Sequence, residues 1–271
     1  MSMPQDIRPL AIRPLAIRPL AIVTGGWRRV GVAIARALAV DGWDLALHAH
    51  YADAFDDALA HELTAMGAVV HRVACDLADP ARAQALPADV ARLAGRPATL
   101  LVNNASLFRE DSFATLTMAA LEAHMAINFT APMLLAKGLV DQLGDHEGAP
   151  YGAIVQVLDQ RVTNPVPDQL SYTLSKQALH AAVRTLARAL APRVRVNAVA
   201  PGPVLPTPDY ADAHWQGLAG VLPLRRLPTT ADIAASVVHL ARAQAVTGQT
   251  LFVDGGANLE AYPRDFLYMM P

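Results

Sequence analysis

Tyr172 and Lys176 stand four residues apart in Ser171-Tyr-Thr-Leu-Ser-Lys176, and Asp159 lies thirteen residues before the tyrosine. On a helix, side chains at i and i+4 share one face. An ammonium held beside a phenol favours the phenolate, so the spacing predicts a tyrosine of lowered pKa that gives or takes a proton near neutral pH. Asp159 adds a second titratable group if the fold brings it close; alternatively it caps the segment after it or pairs with Arg161. Tyr-x-x-x-Lys also occurs on solvent-facing helices, so its weight rests on the elements around it.

Those elements alternate. Short β-rich runs at 20–24, 44–48, 68–74, 99–103, 153–158, 194–199 and 250–253 are separated by alanine-rich helical patterns near 30–41, 53–66, 80–93, 118–143, 169–191 and 230–242. This alternation predicts an α/β fold: one Rossmann-type, doubly wound parallel sheet of about seven strands with helices on both faces. A single domain is expected over 20–271, because no internal linker is rich enough in Pro, Gly or Ser to divide it. The proline-rich segment 201–228 follows the sixth strand, where substrate-covering loops belong.

The first strand runs into Thr24-Gly-Gly-Trp-Arg-Arg-Val-Gly31 and then a helical pattern. Glycines at such a turn let the backbone approach a pyrophosphate, and the helix N-terminus offers free N–H groups; a tight turn without ligand is the plainer reading. Arg28 and Arg29 suggest a phosphate on the adenosine ribose. The second strand ends His48-Ala-His50 with no acidic residue to hold a free ribose diol. The two histidines have no third ligand at a metal spacing, so phosphate contact or strand-end packing is expected of them and no metal is assigned. The remaining histidines, including His146 and His214, likewise show no ligand spacing. NADP(H) is therefore preferred to NAD(H). Asp76, after the third strand, could accept from an adenine amino group, and Asn103 and Asn104 could pin the end of the fourth strand beneath the cofactor.

The formal charge of −2 argues against a nucleic-acid surface. No apolar run is long enough for a membrane helix. Cys75 is the single cysteine, so no intrachain disulfide can form and a cytoplasmic location is expected. With 53% apolar residues and only 17% charged, the chain suits a large core and contacts between subunits. At the N-terminus Ile-Arg-Pro-Leu-Ala occurs three times from Ile7; proline every fifth residue forbids a continuous helix. Residues 1–19 read as a duplicated, flexible lead-in to the first strand, or as a partner-binding arm. The aromatic tail 261–271 could dock on a neighbouring subunit or line its site.

Taken together, Thr24-Gly25…Gly31, Asp76, Asn103-Asn104-Ala105, Asn128, Tyr172…Lys176, Asn197, Pro201-Gly202 and Asp254-Gly255-Gly256 resemble the short-chain dehydrogenase/reductase family from about Leu20 to Ala257. The resemblance implies Tyr172 as proton donor, and Lys176 as the group that lowers its pKa and binds the nicotinamide ribose. It implies that Asn128 bends its helix to hold a relay water. It places Gly25, Arg28, Arg29, Val30, Gly31, His48, His50, Asp76, Leu77, Asn103, Asn104, Ala105, Ser106, Pro201, Gly202 and Val204 around the cofactor, and it implies a homotetramer or dimer. Most members carry serine where this chain has Asp159 and glycine where it has Arg29. Both departures, with Asn103-Asn-Ala-Ser-Leu-Phe108, look like the pteridine and dihydromonapterin reductases. In that branch Phe108 matches the aromatic that sandwiches a pterin ring, and Ser106 a residue touching cofactor and ligand; alone, Phe108 could equally be a core residue.

A carboxylate at 159 would repel a developing alkoxide, whereas reduction of a ring C=N needs a proton on nitrogen that Asp159 and Tyr172 together could deliver. The sequence thus predicts NADPH-dependent reduction of a dihydropterin or dihydrofolate, with Trp215 in the covering segment. The alternatives are a carbonyl or quinone reductase in which Asp159 is incidental, and a non-catalytic NADP(H)-binding protein.

Overall fold

The computed structural model describes residues 18–144, 151–206, 215 and 217–269. The first two copies of the N-terminal repeat, His146, the stretch 207–214 with His214, residue 216 and the last two residues of the tail lie outside that range. The sheet contains β1 (Leu20–Val23), β2 (Asp44–Ala49), β3 (Val70–Ala74), β4 (Leu100–Asn103), β5 (Gly152–Val157), β6 (Val194–Pro201) and β7 (Thr250–Val253). All neighbours pair in parallel, as the alternating pattern predicts, and the structure sets their order as β3-β2-β1-β4-β5-β6-β7.

Parallel strands buried on both faces read as apolar runs, and here alternate residues enter opposite cores. Ala21, Val23, Leu100, Val102, Ala153 and Val155 pack on one side beneath helices α1 (Arg29–Val40) and α2 (Asp57–Ala65). Leu20, Ile22, Leu101 and Ile154 pack on the other against α3 (Pro80–Ala94). The predicted helix over 118–143 is interrupted: α4 (Met118–Met125) passes through a π turn at Ala126–Thr130 into α5 (Ala131–Gln142). A π turn bends a helix and redirects the side chain it carries, here Asn128. Then come α6 (Leu170–Leu190) and α7 (Thr230–Arg242).

The chain is anchored earlier than the repeat suggests. Arg18, the arginine of the third copy, donates to the carbonyls of Ala39 (2.7 Å) and Trp43 (3.0 Å), and the carbonyl of Pro19 accepts from Asp44 N–H. Residues 18 and 19 therefore belong to the fold and not to a flexible lead-in, because the end of α1 and the start of β2 already supply partners to them. At the other end, Phe266 of the tail is buried in a small core with Leu218, Leu222 and Ala257.

Candidate active site

Strand order reverses between β1 and β4, and a crevice opens beyond the carboxyl ends of these two strands. There a cavity of about 920 Å³ runs from the glycine loop across the ends of β4 and β5 to the C-terminal segment. Its cofactor end is built from close backbone approaches. Gly25 has a left-handed φ of +62°, and a Cβ at Gly31 would overlap the Gly25 carbonyl. Thr24 Oγ1 accepts from the N–H groups of Asn104 and Ala105, both at 2.9 Å, while the Asn104 amide donates back to the carbonyls of Thr24 and Gly25. The first turn of α1 has neither a capping side chain nor an acidic residue. Free N–H groups, the positive end of a helix dipole and two exposed arginines fit the pyrophosphate and phosphates of a dinucleotide.

Arg29 departs from its sequence reading, while the two histidines divide between the alternatives expected of them, packing and ligand contact. Arg29 takes the usual place of glycine in the glycine's own left-handed region, φ +51°, and its guanidinium lies 3.4–3.5 Å from the carbonyls of Leu205 and Pro206. It is thus drawn toward the covering segment, while Arg28 is exposed at the cavity wall. His48 is buried and bonded at both ring nitrogens: Nδ1 faces Gly25 N–H at 3.4 Å and Nε2 faces the Cys75 carbonyl at 3.0 Å. That pairing suits the neutral ring, and burial lowers its pKa. His48 props the glycine loop; His50, half-exposed and 3.5 Å from Asp76, is the histidine open to a ligand.

At the chemical end, α6 buries Tyr172, Lys176, Leu179, Val183 and Ala187 along one face. The phenol of Tyr172 donates to Asp159 Oδ2 at 2.9 Å, and Lys176 Nζ donates to the Val157 carbonyl at 2.8 Å. This geometry overturns the predicted direction of the tyrosine's shift. Burial, then the neighbouring Asp159 charge, pushes the Tyr172 pKa well above its ordinary value, because both disfavour a phenolate. Lys176, committed to a backbone carbonyl, is pushed down to about 8 by burial. Tyr172 is therefore a protonated donor across the neutral range. Both readings of Asp159 hold at once, since Oδ2 takes the phenol while Oδ1 takes the N–H and guanidinium of Arg161.

Phe108 is no core residue: it is 44% exposed, lines the cavity and meets Tyr172 edge-on with centroids 4.8 Å apart. Val30, Leu77, Ala105, Ser106, Pro201, Gly202, Val204 and Trp215 also line the cavity. Gly31, Asn103 and Asn128 do not. Asn103 is buried and donates to Gln156, its register partner on β5. Asn128 accepts from Ser106 Oγ and Leu107 N–H and donates to the Leu107 carbonyl and Ser175 Oγ, so it ties the end of β4 to α6.

The residues that sequence reading missed are those acting through long-range contacts. Asp111 is buried and accepts from Ser171 N–H at 3.1 Å and from the Ser171 hydroxyl, which supplies α6 with an N-terminal cap from a distant loop. Arg161, Gln169 and Asp265 line the same cavity as Tyr172. No motif spacing marks any of them; the nearest signal was Arg161 as a partner for Asp159.

Comparison with known proteins gives the same frame. Residues 27–258 match the family model described as enoyl-(acyl carrier protein) reductase. An uncharacterised oxidoreductase of Mycobacterium tuberculosis is 32% identical over 87% of this chain and 90% of its own. The structure of the FolM alternative dihydrofolate reductase 1 of Brucella canis, complexed with NADP, superposes with a TM-score of 0.81 at 38% identity, covering 89% of this chain and 95% of that one. A 3-oxoacyl-[acyl-carrier protein] reductase of Brucella melitensis also superposes at 0.81, with 30% identity over 91% and 99% of the two chains.

Proposed function

The chain belongs to the short-chain dehydrogenase/reductase family, and from that premise we propose that it is an NADPH-dependent pteridine reductase, acting on a dihydropterin or dihydrofolate. It is an oxidoreductase whose cofactor is NADP(H); the uncapped start of α1, Arg28 and the absence of an acid at the tip of β2 fit the phosphorylated dinucleotide. NADPH supplies the hydride when bound. Phe108 offers a flat wall at the cavity mouth, on which a planar heterocycle can stack. Tyr172, whose single proton rests on Asp159 in the free protein, releases that proton to the ring nitrogen once substrate is in place. Asp159 orients the phenol, and Lys176 supplies the positive charge that offsets the phenolate left behind.

The observation that carries this reading is the 2.9 Å contact between the phenol of Tyr172 and Asp159. A carboxylate facing the reacting centre suits proton delivery to a ring nitrogen and opposes negative charge on a carbonyl oxygen. The similarity to an alternative dihydrofolate reductase points the same way. Similarity to a 3-oxoacyl reductase supports a second reading, reduction of a carbonyl. The test is oxidation of NADPH with dihydrobiopterin, dihydromonapterin and dihydrofolate, in the unaltered protein and in Asp159→Ser. Turnover of a dihydropterin that falls at least about 100-fold in Asp159→Ser supports the proposal. Turnover of simple ketones alone, undiminished by the substitution, would sink it. A cytoplasmic homo-oligomer, supported by the lone cysteine and apolar composition, completes the proposal.

A further inference from the structure

We propose that Arg161 is a positioning residue for proton delivery, and that the C-terminal segment holding it through Asp265 is a working part of the active site. Arg161 sits in the single turn that follows β5 and is 5% exposed. Each nitrogen of its guanidinium is committed to a different part of the chain. Nε donates to Asp159 Oδ1 at 3.2 Å, Nη1 to Gln169 Oε1 at 2.9 Å and Nη2 to Asp265 Oδ2 at 2.6 Å. A planar fork of fixed donors fixes the groups around it in a way that a single ammonium does not.

The consequence falls on three of the side chains assigned to the substrate, Asp159, Tyr172 and Phe108. The arginine occupies Oδ1 of Asp159 from both backbone and side chain, which leaves Oδ2 turned to Tyr172. The guanidinium carbon also lies 5.4 Å from the ring centre of Tyr172 and 5.9 Å from that of Phe108. One cation therefore touches the carboxylate, the phenol ring and the aromatic wall together. Its charge also stands between Asp159 and Asp265, two carboxylates that would otherwise repel across a buried space.

The anchors are themselves braced. Asp265 Oδ1 caps Leu267 N–H, and its own N–H donates to Asp168, which is paired with Arg264. Gln169 holds a left-handed φ of +46°, a strained conformation for a residue with a side chain, and its amide donates to Glu110 at 2.6 Å. Strain of this kind persists where the surroundings over-determine it, and here they do.

The inference rests on the reading of Tyr172 and Asp159 as the proton-delivering pair, and not on which acceptor they serve. The test uses full-length Arg161→Gln, Arg161→Lys, Asp265→Asn and the double variant Arg161→Gln/Asp265→Asn. They are assayed on the acceptor that the unaltered enzyme reduces. Failure on every dihydropterin overturns the substrate reading alone, and the series then runs on a ketone. Arg161→Gln should lower kcat about 100-fold with NADPH affinity within about twofold, and raise the solvent deuterium isotope effect. Arg161→Lys should recover part of that loss. Asp265→Asn should lose about tenfold, with the double variant no worse than Arg161→Gln, since the two act as one unit.

Additive losses, an unchanged isotope effect, or weakened NADPH binding in step with kcat would each overturn the proposal. A crystal structure of Arg161→Gln gives a readout independent of turnover. Loss of the Asp159–Tyr172 contact supports the positioning role, and retention of that contact refutes it.

Discussion

Lys176 decides the pH behaviour of this site, and the sign follows from its burial. Its pKa falls to about 8, while that of Tyr172 lies well above its ordinary value, so the first group to lose its working form on going alkaline is the lysine. Activity should therefore decline above about pH 8 in a kcat/KM profile of the free enzyme, with no loss from tyrosine ionisation below that point. Asp159 raises the Lys176 pKa, so Asp159→Asn should move this limb to lower pH. The stability sign is the opposite of a usual salt bridge. The unfolded lysine stays protonated up to about 10.4 and the folded one only to about 8, so burial of the charge costs stability below pH 8. That cost is relieved as pH rises between the two values. Lys176→Met should accordingly abolish turnover yet keep or raise the melting temperature at pH 7. Gly31 makes the complementary case: Gly31→Ala drives a Cβ into the Gly25 carbonyl, and should cost about 1–3 kcal/mol of stability and weaken NADPH binding at least about tenfold.

Helix α6 brings Tyr172 and Lys176 to the cavity, and its start is held from outside its own sequence. Asp111 arrives from the loop after β4 to accept the Ser171 N–H, at an end where the helix's own cap position, Gln169, offers no side-chain cap. A carboxylate there satisfies an orphan donor and complements the helix dipole. Asp111→Ala should lower stability by about 1–2 kcal/mol, visible as a melting shift of roughly 2–8 °C, and should lower kcat by loosening the register of Tyr172. The π turn between α4 and α5 is a second element-level device. It turns Asn128 inward to bind both the Ser106–Leu107 backbone region and Ser175, joining the loop that carries Phe108 to the helix that carries Tyr172. Helical periodicity over 118–143 foretold a helix; a local change of winding leaves no mark in periodicity.

At the scale of the whole molecule, the chain is closed at both ends by arginines. Arg18 ties the start of β1 to the end of α1 and to Trp43, while Arg161 ties β5 to the C-terminal segment. Deleting residues 1–16 should leave melting temperature and turnover unchanged, since the third copy of the repeat keeps the anchoring Arg18. Arg18→Ala in the full chain should cost about 1–2 kcal/mol by removing two side-chain hydrogen bonds to backbone carbonyls and an ion pair with Asp44. Among the described residues no helix is long and apolar enough to cross a membrane.

The sequence by itself determined the fold class: alternating runs of apolar β-formers and alanine-rich helices can bury both faces only as a parallel, doubly wound sheet. It also determined the glycine turn and the Tyr172–Lys176 helix face, because each depends on residues a few positions apart. Only the tertiary structure decided the electrostatics. The sign of the Tyr172 shift depends on burial and on a carboxylate thirteen residues away, and the identity of His48 as a neutral prop depends on the Cys75 carbonyl just beyond the end of β3. The Arg161–Asp265 bond joins residues 104 positions apart in the chain. Local patterns carry short-range geometry; desolvation and long-range pairing are properties of the packed molecule, and the working protonation states of this site are set by them.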